Sequence, residues 1–159
     1  MHLKSLVVYY TRSGNTRFVA QTIAAEIGAD IEEIVDLKKR NGVLGWLGSG
    51  KDARQGKETN ISPTAKLPVD YELIIVGTPV WAGKPTPAIK TYLKKNDLSG
   101  KKVAAYFTQG QKKSQGIQEI KELVPNSNWV GDLSIIKPLN KKEEIEKQIT
   151  EWCKTLTSN

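Results

Sequence analysis

The stretch Leu6-Val7-Val8-Tyr9-Tyr10-Thr11-Arg12-Ser13-Gly14-Asn15-Thr16-Arg17 constrains this chain more than any other. A continuous apolar run rich in β-branched and aromatic side chains breaks at a hydroxyl- and glycine-rich turn, then enters a helical pattern through Ile27. It reads as a buried strand, a tight loop and a helix N-terminus. Thr11, Ser13 and Thr16 supply hydroxyls, Asn15 an amide and Gly14 the freedom to turn, all at the positive end of a helix dipole. No lysine sits within the loop, so its donors would be backbone N–H groups and neutral side chains, which suits a monophosphate. The same residues also fit an ordinary strand-to-helix turn with Ser or Thr as N-cap.

Downstream, the same alternation repeats. Val19, Ile23 and Ile27 mark the first helix, and Gly28 its end. Ile31 to Val35 makes a short strand whose Glu32 and Glu33 place it at a sheet edge. From Asp36 to Asp70 the pattern loosens into a long Gly- and Lys-rich connection, with an apolar patch at Val43, Leu44, Trp46 and Leu47 and a short imperfect helix over Lys51 to Gly56. Within it, Gly45-Trp46-Leu47-Gly48-Ser49-Gly50-Lys51 has the spacing of a nucleotide triphosphate loop. Asp52 stands where such a loop needs Ser or Thr, however, and no apolar strand feeds it, so we set the nucleotide reading aside.

Leu73 to Gly77 is apolar throughout, as a central parallel strand is, and runs into Thr78-Pro79-Val80-Trp81-Ala82-Gly83-Lys84-Pro85, read as a proline-braced loop with a tryptophan at its tip. Thr86-Pro87 opens a helix with Ala88, Ile89, Tyr92 and Leu93 on its buried face. Val103 to Phe107 is the next strand, followed by Thr108-Gln109-Gly110-Gln111-Lys112-Lys113. Ile117, Ile120 and Val124 mark a helix, Trp129 to Ile135 a fifth strand, and Ile145, Ile149, Trp152 and Leu156 a last helix bordered by Cys153, read as a small buried hydrophobe. Such alternation predicts an α/β fold with a parallel sheet covered on both faces and ligands at the carboxyl ends of its strands. Three loops leave those ends: Thr11 to Thr16 for a phosphate, Thr78 to Lys84 with an aromatic plane, and Thr108 to Lys113 with amide and hydroxyl groups. A planar ligand carrying one phosphate satisfies all three.

With 159 residues the chain is expected to form one domain, residues 1–159, with a core that needs no disulfide or metal. The one cysteine excludes an internal disulfide, and no apolar run approaches a membrane span. The N-terminus lacks a signal-peptide pattern, so a cytoplasmic location is expected. A net charge of +7 raises nucleic acid, anionic membranes and acidic proteins as partners. The lysines are spread in pairs near element ends, however, and read mainly as solvated surface.

Thr11-Arg12-Ser13-Gly14-Asn15-Thr16 resembles the phosphate loop of flavodoxins and flavodoxin-like FMN proteins of the short-chain type, Thr-x-Ser/Thr-Gly-Asn-Thr directly after the first strand. Gly77 to Gly83 resembles the family's second flavin loop, in which an aromatic residue packs on the isoalloxazine ring. The likeness covers essentially the whole chain and implies a doubly wound five-stranded parallel sheet of order 2-1-3-4-5. It also implies that Thr11, Arg12, Ser13, Asn15 and Thr16 surround the FMN phosphate with Gly14 at the turn. Pro79, Val80, Trp81, Ala82 and Gly83 would line the ring, and Thr108, Gln109 and Gly110 would meet its pyrimidine side. No catalytic side chain or metal is implied.

Two departures from the family stand out. The third loop has no tyrosine to cover the other ring face, which leaves that face open. Flavodoxins are typically acidic and dock through that surface, whereas this chain is basic, so its redox partners would carry acidic docking surfaces. Lys84, Lys112 and Lys113, if near the ring, would favour the anionic, fully reduced flavin, and Gly83 would let a backbone carbonyl turn toward the flavin N5. The resemblance thus implies an FMN protein transferring electrons between redox partners. Its open ring face also admits an FMN-dependent NAD(P)H oxidoreductase acting on quinones or nitro compounds. The intact phosphate loop argues against a flavin-free interaction module.

Overall fold

The structure, a computed structural model, describes residues 2–110 and 116–158. Five strands run parallel: β1 (Ser5–Tyr9), β2 (Asp30–Glu33), β3 (Leu73–Trp81), β5 (Lys102–Gln109) and β6 (Asn128–Ile136), with β4 (Lys84–Pro85) as a short antiparallel addition to the end of β3. Their order is β2-β1-β3-β5-β6, which is the expected 2-1-3-4-5 once the extra hairpin strand is set apart. As its paired glutamates predict, β2 is an edge strand.

Period-two alternation divides the sheet's side chains between two cores. Leu6, Val8, Ile74, Val76, Val103, Ala105 and Phe107 face α3 (Pro87–Lys95) and α4 (Gly116–Leu123), while Val7, Tyr9, Leu73, Ile75, Ala104 and Tyr106 face α1 (Asn15–Ile27) and α5 (Lys142–Thr157). With both faces covered, β1 and β3 need no polar face, and this is why residues 6–9 and 73–76 are apolar without a break. Because these strands are parallel, all the βα turns lie at one edge of the sheet, so the loops after β1, β3 and β5 converge.

Two expectations are corrected. The segment after Gly77 is not a loop: β3 continues through Trp81, and the chain reverses at Ala82 (φ 51°) and Gly83 (φ 78°) before Lys84 pairs with Trp81. Positive φ at both central residues is the signature of a type I′ hairpin turn, so Trp81 is anchored in a ladder rather than carried at a tip. The second correction concerns the long connection, where Gly42–Arg54 forms a 13-residue helix, α2. Its four glycines hid it from a propensity-based reading. The triphosphate-loop look-alike lies inside this helix, where its backbone N–H groups are engaged in helical bonding.

One glycine is fixed by packing. Gly77 sits opposite Tyr106 in the β3–β5 register, and a Cβ there would overlap the Tyr106 ring. That ring is fully buried, and its hydroxyl donates to the Thr16 carbonyl at 3.0 Å, so β5 is tied through the sheet to the start of α1. Gly77→Ala is therefore expected to destabilise the fold by about 1–3 kcal/mol or more through overpacking. Urea unfolding measures this, and a wild-type midpoint would show that the Tyr106 ring is free to move.

Candidate flavin site

The N-terminus of α1 points into a cavity at the carboxyl edge of the sheet. Gly14 takes φ 93°, and its N–H donates to Thr11 Oγ1 at 3.1 Å, closing the loop on itself. The first intrahelical bond runs from the Phe18 N–H to the Gly14 carbonyl, so the N–H groups of Asn15, Thr16 and Arg17 have no partner within the helix. The first turn contains no acidic residue to compete with an anion. Asn15 faces the other way with its carbonyl: its Oδ1 accepts from the Leu139 N–H at 3.3 Å, while its Nδ2 donates to Ser13 Oγ at 3.1 Å. Thr16 and Thr108 hydroxyls meet at 2.7 Å, joining the first and third loops. That contact uses one of their two protons and leaves the other free to donate.

The cavity has a volume of about 470 Å³, within the roughly 300–1,000 Å³ of small-molecule sites. Arg12, Ser13, Asn15, Thr16, Pro79, Val80, Trp81, Thr108, Gln109 and Gly110 line it together. Of the other residues singled out from sequence, Thr11 and Gly14 shape the loop from behind. Ala82 lines the neighbouring cavity, and Gly83 sits at the hairpin turn with open space where a Cβ would be. Gln109 bears a buried Nε2 with no hydrogen-bond partner among the described residues. An unsatisfied buried donor is costly, and an acceptor-bearing ligand edge in the cavity would relieve it. Helix N–H groups for a phosphate, an aromatic wall at Trp81 and an unsatisfied amide at Gln109 together fit a phosphorylated planar heterocycle.

The charges differ from expectation. Lys84 pairs with Glu119 of α4 and does not line the cavity; Gln111, Lys112 and Lys113 lie outside the described residues. Arg12 and Lys137 supply the lining cations instead. Lys137 follows β6, adopts φ 45° and donates its N–H to the Gln109 carbonyl at 3.0 Å. Sequence reading considered three strand ends and passed over this fourth one, although Lys137-Pro138 stood where a βα turn belongs.

Trp46 was also passed over as a site residue. It lines the cavity from α2, which is held in place by Arg40, only 5% exposed. The Arg40 guanidinium donates to Asp36 at 2.7 Å and to Asp52 at 3.0 Å, and Lys38 also pairs with Asp52. Gly45 of α2 lies so close to the Arg40 backbone that a Cβ would overlap it. Arg40 and Arg12 both approach the Trp81 ring, at 5.5 and 5.7 Å from its centroid, and Tyr10 meets that ring edge-on. Burial would raise the Asp52 pKa, but hydrogen bonds and charge from Lys38 and Arg40 outweigh burial and hold it below the ordinary 3.8.

A family model for flavodoxins matches residues 4–156. This chain belongs to the flavodoxin family. Among solved structures, a flavoprotein from Lactobacillus acidophilus NCFM in complex with FMN is 26% identical, with a TM-score of 0.73 over 87% of this chain and 97% of that one. The apo form of the flavoprotein from the same organism aligns over 89% and 97% with a TM-score of 0.64 and 26% identity. Oxidised Flavodoxin 2 from Bacillus cereus, 19% identical over 98% of both chains with a TM-score of 0.62, shares the fold. No curated protein matches the chain.

A depressed Asp52 pKa stabilises the fold fully above the ordinary value of 3.8, and that contribution is lost as pH falls through the depressed value. Asp52→Asn removes one charged hydrogen-bond acceptor from Arg40 and should cost about 1.5–3 kcal/mol at neutral pH. Urea unfolding across pH should show wild type and variant converging in acid. A gap that persists undiminished below the depressed pKa would mean that ionisation of Asp52 does not matter.

Proposed function

We propose that this flavodoxin-family chain binds FMN in the cavity between α1, the β3–β4 hairpin and the end of β5, and carries electrons between redox partners. The observation that carries this reading is the convergence on one cavity of the α1 N-terminus, the Trp81 ring and the unsatisfied Gln109 amide. Bound FMN supplies the redox chemistry, taking up and releasing electrons. The chain's own residues bind it and tune its surroundings.

In this reading the free N–H groups of the α1 N-terminus and the Thr16–Thr108 hydroxyl pair hold the phosphate, with Arg12 adding charge from one side. Trp81 provides the stacking surface, and its place in a hairpin ladder fixes the ring plane before the ligand arrives. Gln109 Nε2 would donate to the pyrimidine edge. Arg12 and Lys137 bring positive charge to the site, which favours added electrons on whatever sits there. Gly83 leaves the hairpin turn free to rotate a peptide toward the ring.

The cavity mouth is basic, with Arg12 and Lys137 on its walls and Lys51 and Arg54 on α2 beside it. This supports redox partners with acidic docking faces, whose association would slow as salt rises. The absence of a tyrosine from the third loop, Thr108 to Lys113, supports the oxidoreductase as a second reading, and one assay separates the two. A carrier consumes no NAD(P)H in the presence of a quinone, whereas sustained consumption would identify an oxidoreductase.

Trp81→Ala should weaken FMN binding by about 1–3 kcal/mol if flavin stacking resembles base–aromatic stacking. Titration by flavin fluorescence quenching measures this directly, and unchanged affinity would remove Trp81 from the site.

A further inference from the structure

A second cavity, of about 610 Å³, opens beside the first, between the outer face of α2 and the β3–β4 hairpin. The two share Arg12, Trp46, Val80 and Trp81, so they meet along the tryptophan pair. Helix α2 is inverted relative to an ordinary surface helix: it buries Ser49, Asp52 and Ala53 and leaves Trp46 65% and Leu47 56% exposed. The Arg40 ion network explains the inversion, because Asp52 must turn inward to reach Arg40. One consequence is a ligand-sized recess with a graded wall. Its end nearest the first cavity is aromatic and apolar, from Trp46, Leu47 and Trp81, and one to two helical turns farther along α2 lie Lys51 and Arg54.

The charge of this recess is one-sided. Among the described residues, no carboxylate lines it. Lys51, Arg54 and Arg12 have no ion-pair partner among the described residues; Arg12 donates to the Arg40 carbonyl at 2.9 Å and lies over the Trp81 ring. Cations gathered without counter-charges repel one another, and an anion placed among them relieves this. The apolar and aromatic wall selects at the same time for a flat, apolar body.

We propose that this second cavity binds a planar aromatic acid, with its ring against Trp46, Leu47 and Trp81 and its anionic group toward Lys51 and Arg54. That the ring would then lie next to a flavin rests on the function proposed above. Binding itself does not. The shared wall gives the pair of cavities the layout of a cofactor site with an adjoining site for a small organic redox ligand.

Redox-inert probes test this on the whole protein, with and without FMN. Calorimetric titration with 2-naphthoate and its neutral counterpart 2-naphthamide should show naphthoate binding at least tenfold tighter. Replacing Lys51→Gln and Arg54→Gln together should remove that preference while leaving FMN affinity unchanged, since neither residue lines the first cavity. Leu47→Asp should abolish naphthoate binding. Equal affinities for the two probes, or a preference that survives the double substitution, would overturn the proposal. So would naphthoate that competes with FMN, because it would then sit in the first cavity. A dimer that seals α2 and excludes naphthoate would overturn it in favour of self-association. FMN is titrated separately into the same protein, so failure to bind FMN would be recorded as failure of the flavin reading, whatever naphthoate does.

Discussion

The Tyr106 hydroxyl, bonded to the Thr16 carbonyl through the space that Gly77 leaves open, joins the sheet to the site. Its ring spans from β5 across β3 to α1, and no other residue type at position 77 would let it pass. Once it is in place, the start of α1 cannot shift along the sheet without breaking a fully buried hydrogen bond. The Thr16–Thr108 contact then follows, because Thr108 is two residues beyond Tyr106 on the same face of β5. The first and third loops are thus set by the core rather than by one another. A site preorganised in this way loses little conformational entropy when a ligand enters.

A second constraint acts from the opposite side. Arg40 is buried against Asp36 and Asp52, and a buried charge of this kind is tolerated only while its partners hold. By turning Asp52 inward, Arg40 sets the rotation of α2; through Gly45 it brings that helix close, and its guanidinium lies by the Trp81 ring. The aromatic wall therefore depends on both a neutral anchor, the hairpin ladder, and an ionic one. The exposed apolar face of α2, with Val43 76% and Leu44 85% exposed, is the reverse side of the same arrangement.

Much of this was legible in the sequence because local and global signals agreed. Leu6 to Arg17 carries strand, loop and helix in twelve residues, and its unbroken apolar run already required burial on both faces. Buried strands at Leu73 and Val103 fixed the sheet in the same way, and the edge position of β2 followed from Glu32 and Glu33. The misreadings share a cause: each depended on a long-range contact. Prolines at 79 and 85 suggested a loop, but β1 ends opposite Gly77 and leaves that side of β3 open beside Pro79, and Pro85 lies in a short strand paired only with β3, so proline is tolerated at both; the Ala82-Gly83 turn also lacks the usual Asn or Asp. Helix α2 is glycine-rich and is held by Arg40 rather than by propensity. Lys84 could be placed near the ring by sequence distance alone, whereas its partner Glu119 comes from a helix 35 residues on. Trp46 and Lys137 entered the site from segments with no motif to announce them.

In the proposed function, the α1 N-terminus and its loop recognise a phosphate attached to the ring that Trp81 stacks. Comparing FMN with riboflavin on the same purified protein tests that claim most directly, since the two ligands differ only in the phosphate. Charge-assisted hydrogen bonds to the helix N–H groups predict that FMN binds about a hundredfold tighter or more, equivalent to roughly 3 kcal/mol. Equal affinity for the two, or no binding of either, would contradict it.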